Sequence, residues 1–223
     1  MITPLKSVSS PIFVRVAPFV VFVVLTTLEG RLGEASRFWT YLAKTLVGGW
    51  MLWWFRNAIV EMHWKFSVAG GVGGVIVFAV WVGLDGLYPG ASSAGRSHWN
   101  PNQYFGPGTA WVGFFLAVRL IGSTVVVPPL EEVFYRSFMY RWLISPGFER
   151  HGLGHFNLKA FLITSVAFGL VHGGDWLPGI LCGLAYQGLV VSRGRLGDAM
   201  FAHATTNALL GLWIIWRGDW QFW

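Results

Sequence analysis

Apolar residues arrive in this chain in runs of membrane-crossing length. The runs fall at 11–28, 38–55, 66–84, 109–127, 129–144, 158–174, 176–192 and 198–216. Each is near the roughly 20 residues that a helix needs to cross a bilayer core of about 30 Å. Backbone in lipid must satisfy its hydrogen bonds internally, so runs of this length fold as helices. The pattern predicts an all-α polytopic membrane protein with about eight transmembrane helices. It forms one integral-membrane domain over 1–223. Composition agrees: 54% of residues are hydrophobic and 12% charged, against about 25% charged in a soluble domain. The net charge is +6, but Lys and Arg sit at segment ends and in connectors. No basic cluster interleaves with aromatics, which argues for lipid headgroups and against nucleic acid. Many of the 14 tryptophans, Trp39, Trp53, Trp54, Trp142, Trp176 and Trp216 among them, stand at segment ends as interface anchors.

The run at 11–28 is long for a signal-peptide core and no small-x-small site follows it, so it is expected to be the first span. Only Pro128-Pro129 separates 109–127 from 129–144. One helix across both would overshoot the bilayer by roughly 20 Å, so two spans broken at the prolines are expected. The longest connector, Asp85 to Gly108, carries Arg96, His98 and Trp99 and suits a cap on the bilayer surface. Val68 to Gly74 offers small residues for close helix contact. Arg15 is near enough to a segment end to snorkel, whereas Arg119 is central and calls for an acidic partner. The single cysteine, Cys182, excludes an intrachain disulfide and reads as packing.

Against that apolar background a few polar groups stand out. Glu131, Glu132 and Arg136 interrupt a run that otherwise reads as buried, and a carboxylate at bilayer depth persists only with a partner or a purpose. Glu132 and Arg136 are four apart and share a helical face, so they can pair. Glu131 points about 100° away and has no basic residue four positions on. His172 ends the sixth run, and His203 and Asn207 share a face in the eighth. A carboxylate, two imidazoles and an amide suffice to activate water and to stabilise an oxyanion. His63, His98, His151 and His155 lie in connectors and read as solvated. Ser123, Thr124 and Ser165 have no base beside them in sequence, which disfavours a serine nucleophile.

Glu-Glu-x-x-x-Arg at 131–136, Phe-x-x-x-His at 168–172 and His-x-x-x-Asn at 203–207 resemble, in order and spacing, the three motifs of the CAAX protease and bacteriocin-processing (CPBP, or Abi) family. These are intramembrane glutamic endopeptidases. The motif-bearing core covers about 109–216, with accessory N-terminal helices over about 11–84. The stretch at 81–89 and the Trp-Gln-Phe-Trp end look like the bacterial subset found with exosortase (PEP-CTERM) sorting systems. The resemblance implies that Glu131 activates water with His172 as its partner, and that Glu132 and Arg136 orient the site. It also implies that His203 and Asn207 stabilise the tetrahedral oxyanion. It implies no cofactor or metal and a membrane-associated peptide or protein substrate, lipidated or not, cut near its C-terminus. Exosortase-type machinery is an implied partner, and the implied location is the bacterial inner (cytoplasmic) membrane.

Two other readings use the same residues. Glu131, His172 and His203 are ligand types for zinc, although His-Glu-x-x-His is absent. A non-enzymatic membrane scaffold or immunity protein would keep the fold without the chemistry. A transporter fits less well, because no broken segment repeats in the first half. Drawn as eight spans, Glu131 and His172 lie towards one face and His203 near the opposite one. They meet if the eighth helix begins later than drawn or if the site lies near mid-bilayer, and a buried polar cavity that holds water is expected.

Overall fold

The computed structural model describes residues 10–89 and 99–223, so Arg96 and His98 of the long connector lie outside the described residues. The described residues are all-helical. The helices are α1 (Pro11–Thr26), α2 (Ser36–Phe55), α3 (Val68–Gly83), a short α4 (Pro101–Phe105), α5 (Ala110–Ile144), α6 (Leu158–Leu170), α7 (Trp176–Arg193) and α8 (Gly197–Arg217). Both α5 and α8 are long and apolar enough to cross a membrane, and α1, α3 and α6 are shorter apolar helices. Large apolar side chains face outward, among them Leu46, Trp50, Val72, Ile76 and Leu162. An apolar exterior of this kind suits lipid rather than water.

The largest departure from the sequence reading is α5. The two spans expected at 109–127 and 129–144 are one helix of 35 residues. The prolines are absorbed by a change of winding. A π-helical stretch, Gly122–Val126, precedes the prolines and a second, Val133–Met139, follows Glu132. Proline removes a backbone donor, and a wider turn redistributes the carbonyls left behind. Val127 N–H reaches back five residues to the Gly122 carbonyl. Pro128, five residues after Ser123, has no N–H, and Asn207 Nδ2 donates to the Ser123 carbonyl instead, at 2.8 Å.

The length that would overshoot the bilayer ends among polar partners. In the last turns of α5, Arg141 pairs with Glu61 at 2.8 Å, and Tyr140 donates to the His155 carbonyl at 2.7 Å. Arg15 joins the same group. Expected to snorkel, it is instead buried and forms a two-pronged pair with Glu61, at 2.8 and 3.0 Å. Ser137 also donates to Glu61. Burial alone would raise the Glu61 carboxyl, but hydrogen bonds from Arg15 and Ser137 and the Arg15 charge hold it below its ordinary range.

Local signals fix the other helix ends. Ser67 caps α3 by accepting from Gly70 N at 3.1 Å and also donates to Asp198 in the first turn of α8. Asn157 caps α6 on Ala160 N at 3.0 Å. Gly194 ends α7 in the left-handed conformation, φ 65°, which glycine adopts without steric cost. The small-residue face of α3 packs against α8 as expected: a Cβ on Gly74 would lie 2.5 Å from the Ala202 carbonyl oxygen. A core of Phe19, Val77, Val133, Tyr135, Phe168 and Met200 ties α1, α3, α5, α6 and α8 together.

Candidate active site

The motif residues converge because α5 and α8 run antiparallel. Contacts climb one helix as they descend the other. Leu120 lies against Gly211, Ser123 against Asn207, and Glu132 against His203. Continuity of α5 is what makes this alignment reach the carboxylates. As one helix, α5 carries Glu131 in its interior instead of at the opening of a separate span. The depth conflict raised by eight separate segments disappears.

Glu132 and Arg136 are both fully buried and pair at 3.2 Å across one helical turn. The guanidinium lies 4.2 Å over the Phe168 ring and is held by charge and a π face. The other Glu132 oxygen meets His203 Nδ1 at 3.0 Å. An ionised carboxylate only accepts, so Nδ1 carries the proton of that contact and Nε2 faces away from it. Across from Nε2, at 3.9 Å, is the Glu131 Oε2 atom. That gap is too long for a direct hydrogen bond. Glu131 Oε2 has no hydrogen-bond partner among the described residues.

His203 is held from behind. The Tyr186 ring stacks on it with centroids 5.1 Å apart and planes at 22°. Tyr186 donates to Thr206 at 2.8 Å, and Thr206 donates to the Gly74 carbonyl at 2.9 Å. Nothing in the sequence marked Tyr186, an aromatic residue in an apolar run.

His172 follows α6 and donates from Nδ1 to the Phe168 carbonyl at 2.7 Å, one turn back. This leaves Nε2 as its free nitrogen. It leans against Trp81, centroids 5.4 Å apart. The loop after α6 turns closely over α7, because Gly169 sits where a Cβ would come within 2.5 Å of Ile180 N. Asn207 spends one N–H on the Ser123 carbonyl; its amide has a second N–H and an acceptor. Glu131, His172, His203 and Asn207 all line one pocket of about 160 Å³, together with Ser123, Tyr186, Arg119 and Trp223. Glu131 meets His203 at 3.9 Å, and His172, which the sequence reading gave it as partner, lines the same pocket.

Arg119 also departs from expectation. Among the described residues no carboxylate comes within salt-bridge distance of it. Its guanidinium carbon sits 4.3 Å from the Tyr41 ring centroid, 5.0 Å from that of Trp99 and 5.7 Å from that of Trp223. The described connector histidines are not among the residues lining the pocket. His63 and His155 are exposed, and His151 contacts Ser145 at 3.0 Å. Among the described residues no group of three His, Cys, Asp or Glu side chains is arranged to hold a metal ion.

These positions coincide with a family match. Residues 104–209 match the family model described as Type II CAAX prenyl endopeptidase Rce1-like. The chain carries an Rce1-like CAAX endopeptidase domain. The matched stretch runs from the end of α4 into α8 and contains Glu131, Glu132, Arg136, His172, His203 and Asn207. Among the described residues two helices are long and apolar enough to span a bilayer, and with the match to a protease family over 104–209 this points to an integral membrane protein. No curated protein matches the chain, and no solved structure does.

Proposed function

We propose that this protein hydrolyses a peptide bond in a membrane-associated peptide or protein, using water activated by Glu131. The observation that carries the reading is the Glu131 Oε2–His203 Nε2 pair at 3.9 Å on the pocket wall, with the other His203 nitrogen fixed by the Glu132–Arg136 ion pair. In this reading a water taken up from the pocket bridges the partly exposed Glu131 carboxylate and His203. Glu131 takes a proton from it as the oxygen attacks the substrate carbonyl, then returns that proton to the departing amine. His172, through its free Nε2, holds the water from the other side. His203 and the second Asn207 N–H meet the negative oxygen of the tetrahedral intermediate. Arg136 and Glu132 stay paired throughout and keep His203 in place, as second partners do for many catalytic imidazoles.

In this reading the long helices cross the bilayer around a cavity wet enough for hydrolysis, and irregular winding in α5 is tolerated because it faces that cavity. The reaction needs no metal, and the cell address is a bacterial inner membrane, alongside exosortase-type sorting. The test uses purified protein in liposomes with a fluorescent, lipid-anchored peptide. Glu131→Gln is expected to lower turnover by about 10²–10⁴-fold while the helical signal and thermal unfolding stay as in the unsubstituted protein. Chelator is expected to leave turnover unchanged. Loss of turnover in chelator that zinc restores would favour the zinc reading, and full turnover in Glu131→Gln would sink the mechanism.

A further inference from the structure

Merging two expected spans into α5 changes the side on which the later connectors fall. Drawn as separate spans, 109–127 and 129–144 would set Arg150, Arg193 and Arg195 across the bilayer from Arg56 and Lys65. With α5 continuous, these five residues share one side. Contacts gather the helix ends into two groups. At one, Arg15 of α1 and Arg141 of α5 share Glu61 from the α2–α3 connector. There too, Lys65 N donates to the Gly197 carbonyl at the start of α8, at 3.4 Å, and Tyr140 meets His155 of the α5–α6 connector. At the other, Tyr88 donates to Asp175 at 3.2 Å and Trp176 to the Pro89 carbonyl at 3.0 Å. The Trp99 ring meets those of Phe38 and Trp223 at the same end, with centroids 4.8 and 5.4 Å apart.

Charge divides unevenly between these ends. Beyond the two arginines on Glu61, the first carries Arg56, Lys65, Arg150, Lys159, Arg193 and Arg195 in its connectors and the adjoining turns. The second has Arg31, Arg37 and Arg217 there, interspersed with Glu29, Glu34, Asp85, Asp175 and Asp219. Lys and Arg in short connectors stay on the cytoplasmic side, where an anionic leaflet attracts them. The pocket belongs to the other end. Tyr41, Trp81, Arg119, His172 and Trp223 line it, and none of the described basic-end connector residues does. One turn beyond Tyr186 and His203 towards the basic end, Val190 and Met200 are fully buried and close the pocket on that side. Glu131 keeps 16% of its side chain exposed, whereas its neighbour Glu132 keeps none.

We propose that the pocket opens on the extracytoplasmic face of the membrane. Its substrate is then a membrane-attached peptide segment presented on that face, and the fragments are released there. A scissile bond held in the cytoplasm would meet the closed end. The orientation rests on charge and contacts alone, and the side of the substrate rests in addition on the peptidase reading.

The test uses the full-length protein in bacterial cells, with single cysteines read by a membrane-impermeant maleimide. The protein with only its buried Cys182 supplies the background. Leu32 in the α1–α2 connector and Gly152 in the α5–α6 connector are both exposed, and nothing lies within 4 Å of a Cβ built on Gly152. Leu32→Cys is expected to label in intact cells, and Gly152→Cys only after the membrane is permeabilised. Labelling of Gly152→Cys in intact cells, alone or together with Leu32→Cys, overturns the orientation. So does a Leu32→Cys that stays unlabelled until permeabilisation. Access is read separately, by adding a lipid-anchored fluorescent peptide to right-side-out and to inverted membrane vesicles, with Glu131→Gln vesicles as the blank. Cleavage is expected in the right-side-out vesicles, and in the inverted ones only after detergent. Cleavage in sealed inverted vesicles overturns the assignment of the pocket to the extracytoplasmic face. The expected labelling without cleavage in either vesicle or in detergent leaves the orientation standing and removes the peptidase reading.

Discussion

Helix α5 takes part in two buried charge clusters, and they are built on opposite plans. At its C-terminal end, Glu61 is saturated: Arg15, Arg141 and Ser137 all donate to it. In its interior, Glu131 Oε2 has no hydrogen-bond partner among the described residues, and Arg136 holds Glu132 by charge without aligned hydrogen bonds. Both clusters draw on the same helix, and both carry more than one cation or carboxylate. The difference lies in satisfaction. A saturated carboxylate has no capacity left for a ligand and ties elements together, whereas a deficient one facing a pocket keeps a lone pair for water or substrate.

Exchanging charge for amide in each cluster is the strongest way to break this contrast. Glu131→Gln should remove turnover and leave unfolding temperature alone, whereas Glu61→Gln should do the reverse. Breaking a buried pair strands its cations and costs about 3–5 kcal/mol. The variant should therefore unfold at clearly lower temperature in detergent, with turnover per folded molecule retained. If Glu61→Gln instead abolishes turnover in protein that is still folded, the two clusters are not separable.

A smaller effect tests the frame around His203. In Gly74→Ala the new Cβ would lie 2.5 Å from the Ala202 carbonyl oxygen and 2.6 Å from Thr205 Cβ. This pushes α3 off α8 at the cost of about 1–3 kcal/mol. Because Ala202 precedes His203, both unfolding temperature and turnover should fall together. Smaller still is Tyr186→Phe, which deletes the bond to Thr206 but keeps the ring stacked on His203. A loss near 1 kcal/mol with little change in turnover is expected, and a large loss of turnover would assign the hydroxyl a direct role.

Acid sharpens the comparison last. The Glu61 carboxyl is held below its ordinary value of 4.5 in the folded protein. Its contribution is therefore complete above about pH 4.5 and is lost as pH falls through the folded value. Thermal unfolding followed downward from neutral pH should show an acid-side loss of stability that is reduced in Glu61→Gln.

The helical class, the positions of most segments and the motif spacing that the family model matches could be read from the sequence, because hydrophobic run length and spacing are local quantities. What escaped is long-range. Pro128-Pro129 reads as a break, and only Asn207, 84 residues away, supplies the donor that lets the helix continue past Ser123. Arg15 looked close enough to an end to reach water, but Glu61 from another segment meets it first. The demand for an acid at Arg119 was a sound electrostatic expectation, answered instead by rings from Tyr41, Trp99 and Trp223. Three distant aromatics converging on one cation leave no mark on a linear pattern. Joining 109–127 to 129–144 in one helix likewise depends on which segments become neighbours.

The contact between Glu132 and His203 joins residues 71 positions apart, the second of them on the final long helix of the chain. During synthesis, a nascent polypeptide lacking α8 would already display its acidic pair without the imidazole that fixes it. Competence would arrive only when that closing segment enters the bilayer and docks. On the proposed mechanism, a hydrolase assembled in this order would not act on its neighbours at the translocon before α8 has docked.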